Sequence, residues 1–207
     1  MPRKRLSREE SQAQTRQRLL EAARAVFARR GYRGASVDEI AAEAGYSKGA
    51  VYSNFESKED IFLELKHAYM EAELTKFDRL MQELAAARAQ YDEMAKVIRA
   101  WLDEFMADAE WFVLGIELQL HARRTPSFAK RYDALNEKHH AALSAIIRRM
   151  FTALGKTPPA NCDEIAAALI GISLGLALEN GTQANAAQIM MTMMGGFIST
   201  APDANPE

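Results

Sequence analysis

Apolar positions recur at intervals of three and four along most of the chain, the period of a helix with one buried face. Leu19, Ala23, Val26, Phe27 and Arg30 lie on one stripe. This predicts a helix that ends at Gly31 and starts at Thr15, or further upstream if Ser7 and Glu10 form a capping pair. Val37, Ile40, Ala41 and Ala44 make a second, shorter face. Ser36 and Glu39 have the spacing of a capping box at its start, and Gly45 supplies a left-handed residue at its end. Ser47 then caps a third helix over roughly 48–54, with Ala50, Val51 and Phe55 turned inward and Lys48, Tyr52, Ser53 and Asn54 left for a partner.

From Ser57 a longer pattern runs through Ile61, Phe62, Leu65, Tyr69, Leu74, Phe77, Leu80, Met81 and Leu84, which predicts one helix passing from a first unit into a second without a flexible linker. Further helices are expected over 92–107, 110–124, 127–154, 163–180 and 185–199, punctuated by Thr125 and Pro126, by the stretch 155–159 and by Gly181. The last residues, 201–207, read as a frayed tail. No segment alternates with the period of a strand over a useful length, so the expected class is all-α.

Ala41, Gly45 and Val51 meet the needs of a helix-turn-helix: a small residue where helices cross, a glycine at the turn and a branched residue locking the second helix. Charge supports a nucleic-acid partner for this part alone. The chain carries 26 Lys and Arg against 28 Asp and Glu, yet residues 1–56 hold 11 basic against 7 acidic side chains. Residues 1–5 read either as a basic arm of the kind that reaches into a minor groove or as a solvated tail.

The run from Thr15 to about Tyr69, and above all Ala44 to Asp60, resembles the DNA-binding domain of the TetR family of bacterial transcriptional regulators. The resemblance implies a three-helix DNA-binding domain over 1–56, followed by a helical effector-binding and dimerisation domain over 57–207. By position it implies that Ser47, Lys48 and Gly49 open the recognition helix, that Tyr46, Ser53 and Asn54 face base edges, and that Ser36, Tyr52 and Lys58 hold phosphates. Tyr46 stands where a smaller aliphatic residue is common, and Ser53 and Asn54 where a His and an aromatic are common, which bears on the operator sequence.

The predicted helices 163–180 and 185–199 carry more apolar residues than one face needs. They match the helix pair through which such regulators dimerise, with Leu169, Ile172, Gly175, Leu176, Met190, Met194 and Phe197 as the expected interface. A pocket is expected among Trp101, Phe105, Trp111, Phe112, Ile116 and Tyr132, with Glu117, His121 and His139 as orienting polar groups. The implied partners are a palindromic double-stranded DNA operator, a small apolar or amphipathic effector and a second copy of the chain. The alternatives are a regulator without an effector, and a helical enzyme or interaction module with an incidental hairpin.

Other chemistry is thin. Cys162 is the single cysteine, so neither an intramolecular disulfide nor a cysteine metal site is available, and an intracellular, cytoplasmic setting fits. The basic start lacks the apolar region of a secretory signal, and the longest apolar run, 165–178, contains Gly171, Ser173 and Gly175 and reads as a buried helix, so no membrane partner is expected. His67, His121, His139 and His140 lack ligand spacing, and neither a phosphate loop nor a nucleophile elbow is present. No catalytic residue, metal or cofactor is expected.

Overall fold

The computed structural model describes residues 7–87, 91–179 and 183–204, with the side chains of 183 and 184 excepted. The expected arm at 1–5, the break at Gly181 and the last three residues lie outside them. The first helix, α1 (Arg8–Gly34), starts upstream of Thr15 because Ser7 and Glu10 do form a reciprocal capping box. Its regular course breaks at Gly31, whose φ of 68° is open to a glycine at little cost. Arg30 is exposed rather than part of the buried stripe, and its Nε lies 3.6 Å from Glu39.

The next two helices are short: α2 (Val37–Ala44), with the expected capping box and a left-handed Gly45, and α3 (Lys48–Tyr52). The third helix stops before residue 54. The N–H groups of Asn54 and Phe55 both reach back to the Val51 carbonyl, at 3.0 and 2.9 Å, and this tight turn drops Phe55 into the core. Then α4 (Lys58–Ala86) runs unbroken for 29 residues, a rod of about 43 Å.

The rest of the chain forms α5 (Tyr91–Met106), α6 (Ala109–Arg124), α7 (Pro126–Ala153), α8 (Cys162–Leu178) and α9 (Gln183–Thr200). Pro126 opens α7 at a position whose N–H would be unpaired in any case. Residues 201–204 are not frayed. Thr157 N–H bonds Pro202 O at 2.9 Å, Ala204 N–H bonds Gly155 O at 2.8 Å, and Ala201 is buried. Among the described residues no helix is long and apolar enough to cross a membrane.

Two main cores hold the helices. The first joins Leu19, Phe27, Ile40, Val51 and Phe55 to Ile61 and Phe62 on α4, to Trp111 and Leu118 on α6, and to Phe128 and Tyr132 on α7. It therefore continues past residue 56, because helices of eight and five residues cannot enclose a core by themselves. The second gathers Phe77, Ile98, Ile147, Phe151, Ile165 and Met190 from α4, α5, α7, α8 and α9. Helices α4 and α7 run through both.

Candidate nucleic-acid interface

The outer surface of α3 is built from its N-terminus. Ser47 Oγ accepts the Ala50 N–H at 3.2 Å, Val51 is buried beneath the helix, and Ser47, Lys48, Gly49, Tyr52 and Ser53 are exposed. Tyr52 keeps 51% of its surface open, which is unusual for an aromatic side chain of this size. Lys48 Nζ lies 2.8 Å from Asp38, and that hydrogen bond raises the ammonium pKa. Tyr46 is held half-buried at the turn by its N–H bond to Ala41 O at 2.9 Å. Hydrogen bonds with Thr15 and then Arg18 lower its phenol pKa. These α1 residues thus border the recognition surface. The chain pattern did not select them, although they lie at helical spacing from Leu19 and Ala22, at the edge of the face that α1 buries.

Three residues expected at DNA are otherwise engaged. Ser36 Oγ accepts the Glu39 N–H at 3.2 Å and donates to Glu39 Oε2 at 2.9 Å, so it serves as a helix cap. The same bonds hold the Glu39 carboxyl below its ordinary pKa. Lys58 Nζ donates to the carbonyls of Tyr32 and Ala35 at 2.7 and 2.8 Å and sits 4.5 Å from the centre of the Tyr32 ring. Tyr32 lies in the last turn of α1 and Ala35 just past its end, where carbonyls lack helical partners, and the first residue of α4 supplies the donor. Burial lowers the Lys58 pKa. Asn54 turns its amide back to Ala50 O at 2.8 Å and buries Oδ1.

None of the expected ligand residues lines the 680 Å³ cleft described below. Instead their rings stack on one another: Trp101 lies 4.3 Å from Phe77 and 5.1 Å from Phe105, Phe105 meets Phe112 edge-on, and Trp111 lies 4.4 Å from Tyr69. Ile116 is half-buried on α6. Tyr132 belongs to the first core, and His139 is buried with its Nε2 3.4 Å from His67 Nδ1. The remaining polar candidates tie the HTH region to the rest of the chain. Glu117 accepts the Tyr32 N–H at 2.6 Å, and His121 Nε2 lies 2.7 Å from Glu59. Two ion pairs, Arg131 with Asp60 and Arg24 with Asp108, bridge the same junction. A cleft of about 680 Å³ opens elsewhere, between the ends of α4, α5, α7 and α9, and is lined by Leu84, Tyr91, Met94, Leu154, Lys156 and Ile198.

On the last two helices, Leu169, Met190 and Met194 are spent on the intrachain core, while Ile172, Leu176 and Phe197 are half-buried and Gly175 is exposed. The open face of α8 is Ala167, Ala168, Gly171, Gly175 and Leu178, with no charged side chain between Glu164 and Glu179. A Cβ at Gly171 or Gly175 would meet nothing within 4 Å. Among the described residues no three His, Cys, Asp or Glu side chains group as metal ligands.

Residues 19–65 match the sequence model described as bacterial regulatory proteins, tetR family. The chain is 31% identical over 125 residues to the HTH-type transcriptional repressor AcnR of Corynebacterium diphtheriae, covering 56% of this chain and 55% of that one. It is 26% identical over 191 residues to the HTH-type transcriptional repressor BepR of Brucella suis, covering 90% and 80%. The first curated relatives it matches are covered over 34% to 62% of their own length. A solved structure assigned to the TetR-family transcriptional regulators, from Mesorhizobium loti, shares the fold over 95% of this chain and 99% of its own, with a TM-score of 0.71 at 22% identity. The matched segment contains the capped α2, the left-handed Gly45 and the exposed α3, and the helical body behind it has the same fold as that structure: residues 19–65 match the tetR family of bacterial regulatory proteins, and the chain as a whole is similar to its members in fold.

Proposed function

We propose that this chain is a sequence-specific DNA-binding transcriptional repressor rather than an enzyme, and that it works as a homodimer on a palindromic operator. The observation that carries the reading is α3, a short helix locked from below by Val51 and Phe55 that presents Ser47, Lys48, Gly49, Tyr52 and Ser53 outward from a basic segment. Such a helix fits a major groove, with Lys48 and Tyr52 suited to phosphates and Ser53 and Tyr46 to base edges. One copy of so small a surface reads few bases. The uncharged, small-residue face of α8 supports pairing with a second copy, which doubles the reading.

Selection of bound duplexes from a random pool tests this. The expected product is a palindrome whose half-sites lie about 10 bp or a multiple apart, bound with a log affinity that falls with log salt by about 0.9 per neutralised phosphate. Lys48→Ala and Tyr52→Ala should abolish tight binding with helical content intact. Salt-insensitive binding, or wild-type affinity in both variants, rejects the reading.

An effector belongs to the same proposal. The aromatic candidates pack ring on ring, whereas the apolar cleft beside Met94 and Lys156 has the volume of a small-molecule site. A small apolar or amphipathic ligand there should raise the melting temperature and release operator at the same concentrations, and Leu154→Trp should block both effects. Operator release that survives a filled cleft places the effector elsewhere.

A further inference from the structure

Helix α3 has five residues, too few to hold its own orientation, and its reading angle must come from what grips its two ends. The turn after Gly45 grips the first. At the other end the Asn54 carbonyl leaves the turn with Arg16 Nη1 as its donor. The rest of that guanidinium is committed to α4, with Nε donating to Glu64 Oε1 at 2.8 Å and Nη2 to Glu64 Oε2. Its Cζ stands 4.1 Å from the centre of the Phe55 ring. One planar group therefore joins α1, the end of α3 and the second turn of α4.

We propose that Arg16 is a positioning residue for DNA recognition: with Glu64 it fixes the angle of the recognition helix. The inference rests on the DNA-binding reading above. A guanidinium suits the task because its rigid fork serves both carboxylate oxygens and a carbonyl at once, in charge-assisted bonds that the single ammonium of a lysine cannot reproduce in that geometry. Glu64 is rooted in the 29-residue α4, whose far end lies in the second core, so the fork ties the Asn54 carbonyl to a helix anchored in the body of the chain.

The test uses the full chain and the operator selected by the wild-type protein, with random duplex of the same length as the non-specific probe. Arg16→Lys and Glu64→Gln should each weaken operator binding on the order of 10- to 100-fold and the double variant no further, while non-specific binding stays within about twofold and the salt slope is unchanged. A slope reduced by about 0.9 in Arg16→Gln, which removes the cation, makes Arg16 a phosphate contact and overturns the proposal. So does an equal loss on both probes, which marks general damage to the fold. Where Arg16→Lys melts well below wild type, Glu64→Gln alone decides, since a carboxylate has no favourable contact with phosphate to lose. Wild-type protein that selects no operator rejects the DNA reading itself, whereas wild-type selection with unaffected variants rejects this inference only.

Discussion

Lys58 and His139 show how a single side chain's role follows from what surrounds it. Lys58 has the type and place of a phosphate contact, but its ammonium closes the carbonyls at the end of α1. Lys58→Met should therefore destabilise the fold by about 1–3 kcal/mol, the cost of stranding those acceptors, in a urea melt. It should leave the salt slope of DNA binding unchanged, and a slope lower by about 0.9 would restore the phosphate role. His139 is buried with Nδ1 unpartnered, and burial first, then Lys66, His67, His140 and Lys138, lowers its pKa from 6.5 to about 4. The folded state thus binds fewer protons than the unfolded chain between those values. The resulting stability is present above 6.5 and is lost as pH falls towards 4, on the order of 3 kcal/mol in all. Melting followed from pH 7 to pH 4 should show this slope, and His139→Phe should flatten it.

At the scale of elements, α8 has two unlike faces. One is buried through Ile165, Ala166, Leu169, Ser173 and Ala177, and the other is open through Ala167, Gly171, Gly175 and Leu178. Because a Cβ at Gly175 meets nothing within the chain, Gly175→Leu should not harm the isolated fold, and it replaces a poor helix former with a good one. Any loss it causes belongs to a contact with another molecule. Sedimentation should show the variant shifted towards monomer, and operator affinity should fall with it. A variant that stays dimeric removes the α8 face from the interface.

Taken whole, the molecule couples its recognition surface to the helical body through the junction of α1, α4 and α6. At Gly31 the left-handed backbone and the Glu117 carboxylate meet, and a Cβ there would lie 2.7 Å from Glu117 Oε1. Gly31→Ala should cost about 1–3 kcal/mol from strain and displacement of the carboxylate together. Adding Glu117→Ala removes the clash but not the strain, so the double variant should recover part of the melting temperature relative to Gly31→Ala. No recovery would mean that the junction is not held by this contact. In the proposed dimer, a ligand would need about 5.5 kcal/mol of differential affinity to move it from 1:99 to 99:1 between two arrangements. The ion pairs Arg131–Asp60 and Arg24–Asp108, with the Glu59–His121 contact, are the bonds such a change would exchange.

Local chemistry was legible in the chain itself. The capping boxes at Ser7 and Ser36, the left-handed Gly45 and the unbroken α4 depend on residues within four positions of one another, so spacing alone determined them. The same spacing picked out Lys48 and Tyr52, whose exposure follows from Val51 pointing the other way. What spacing could not decide was which partner each surplus side chain would meet across the fold. Trp111 and Tyr132 completed the first core, Glu117 and His121 became ties to the HTH region, and Arg16 joined residues 38 and 48 positions away. An aromatic or charged residue on a helix face has the same periodic signature whether it lines a pocket or fills one, and only the packing of distant helices separates the two.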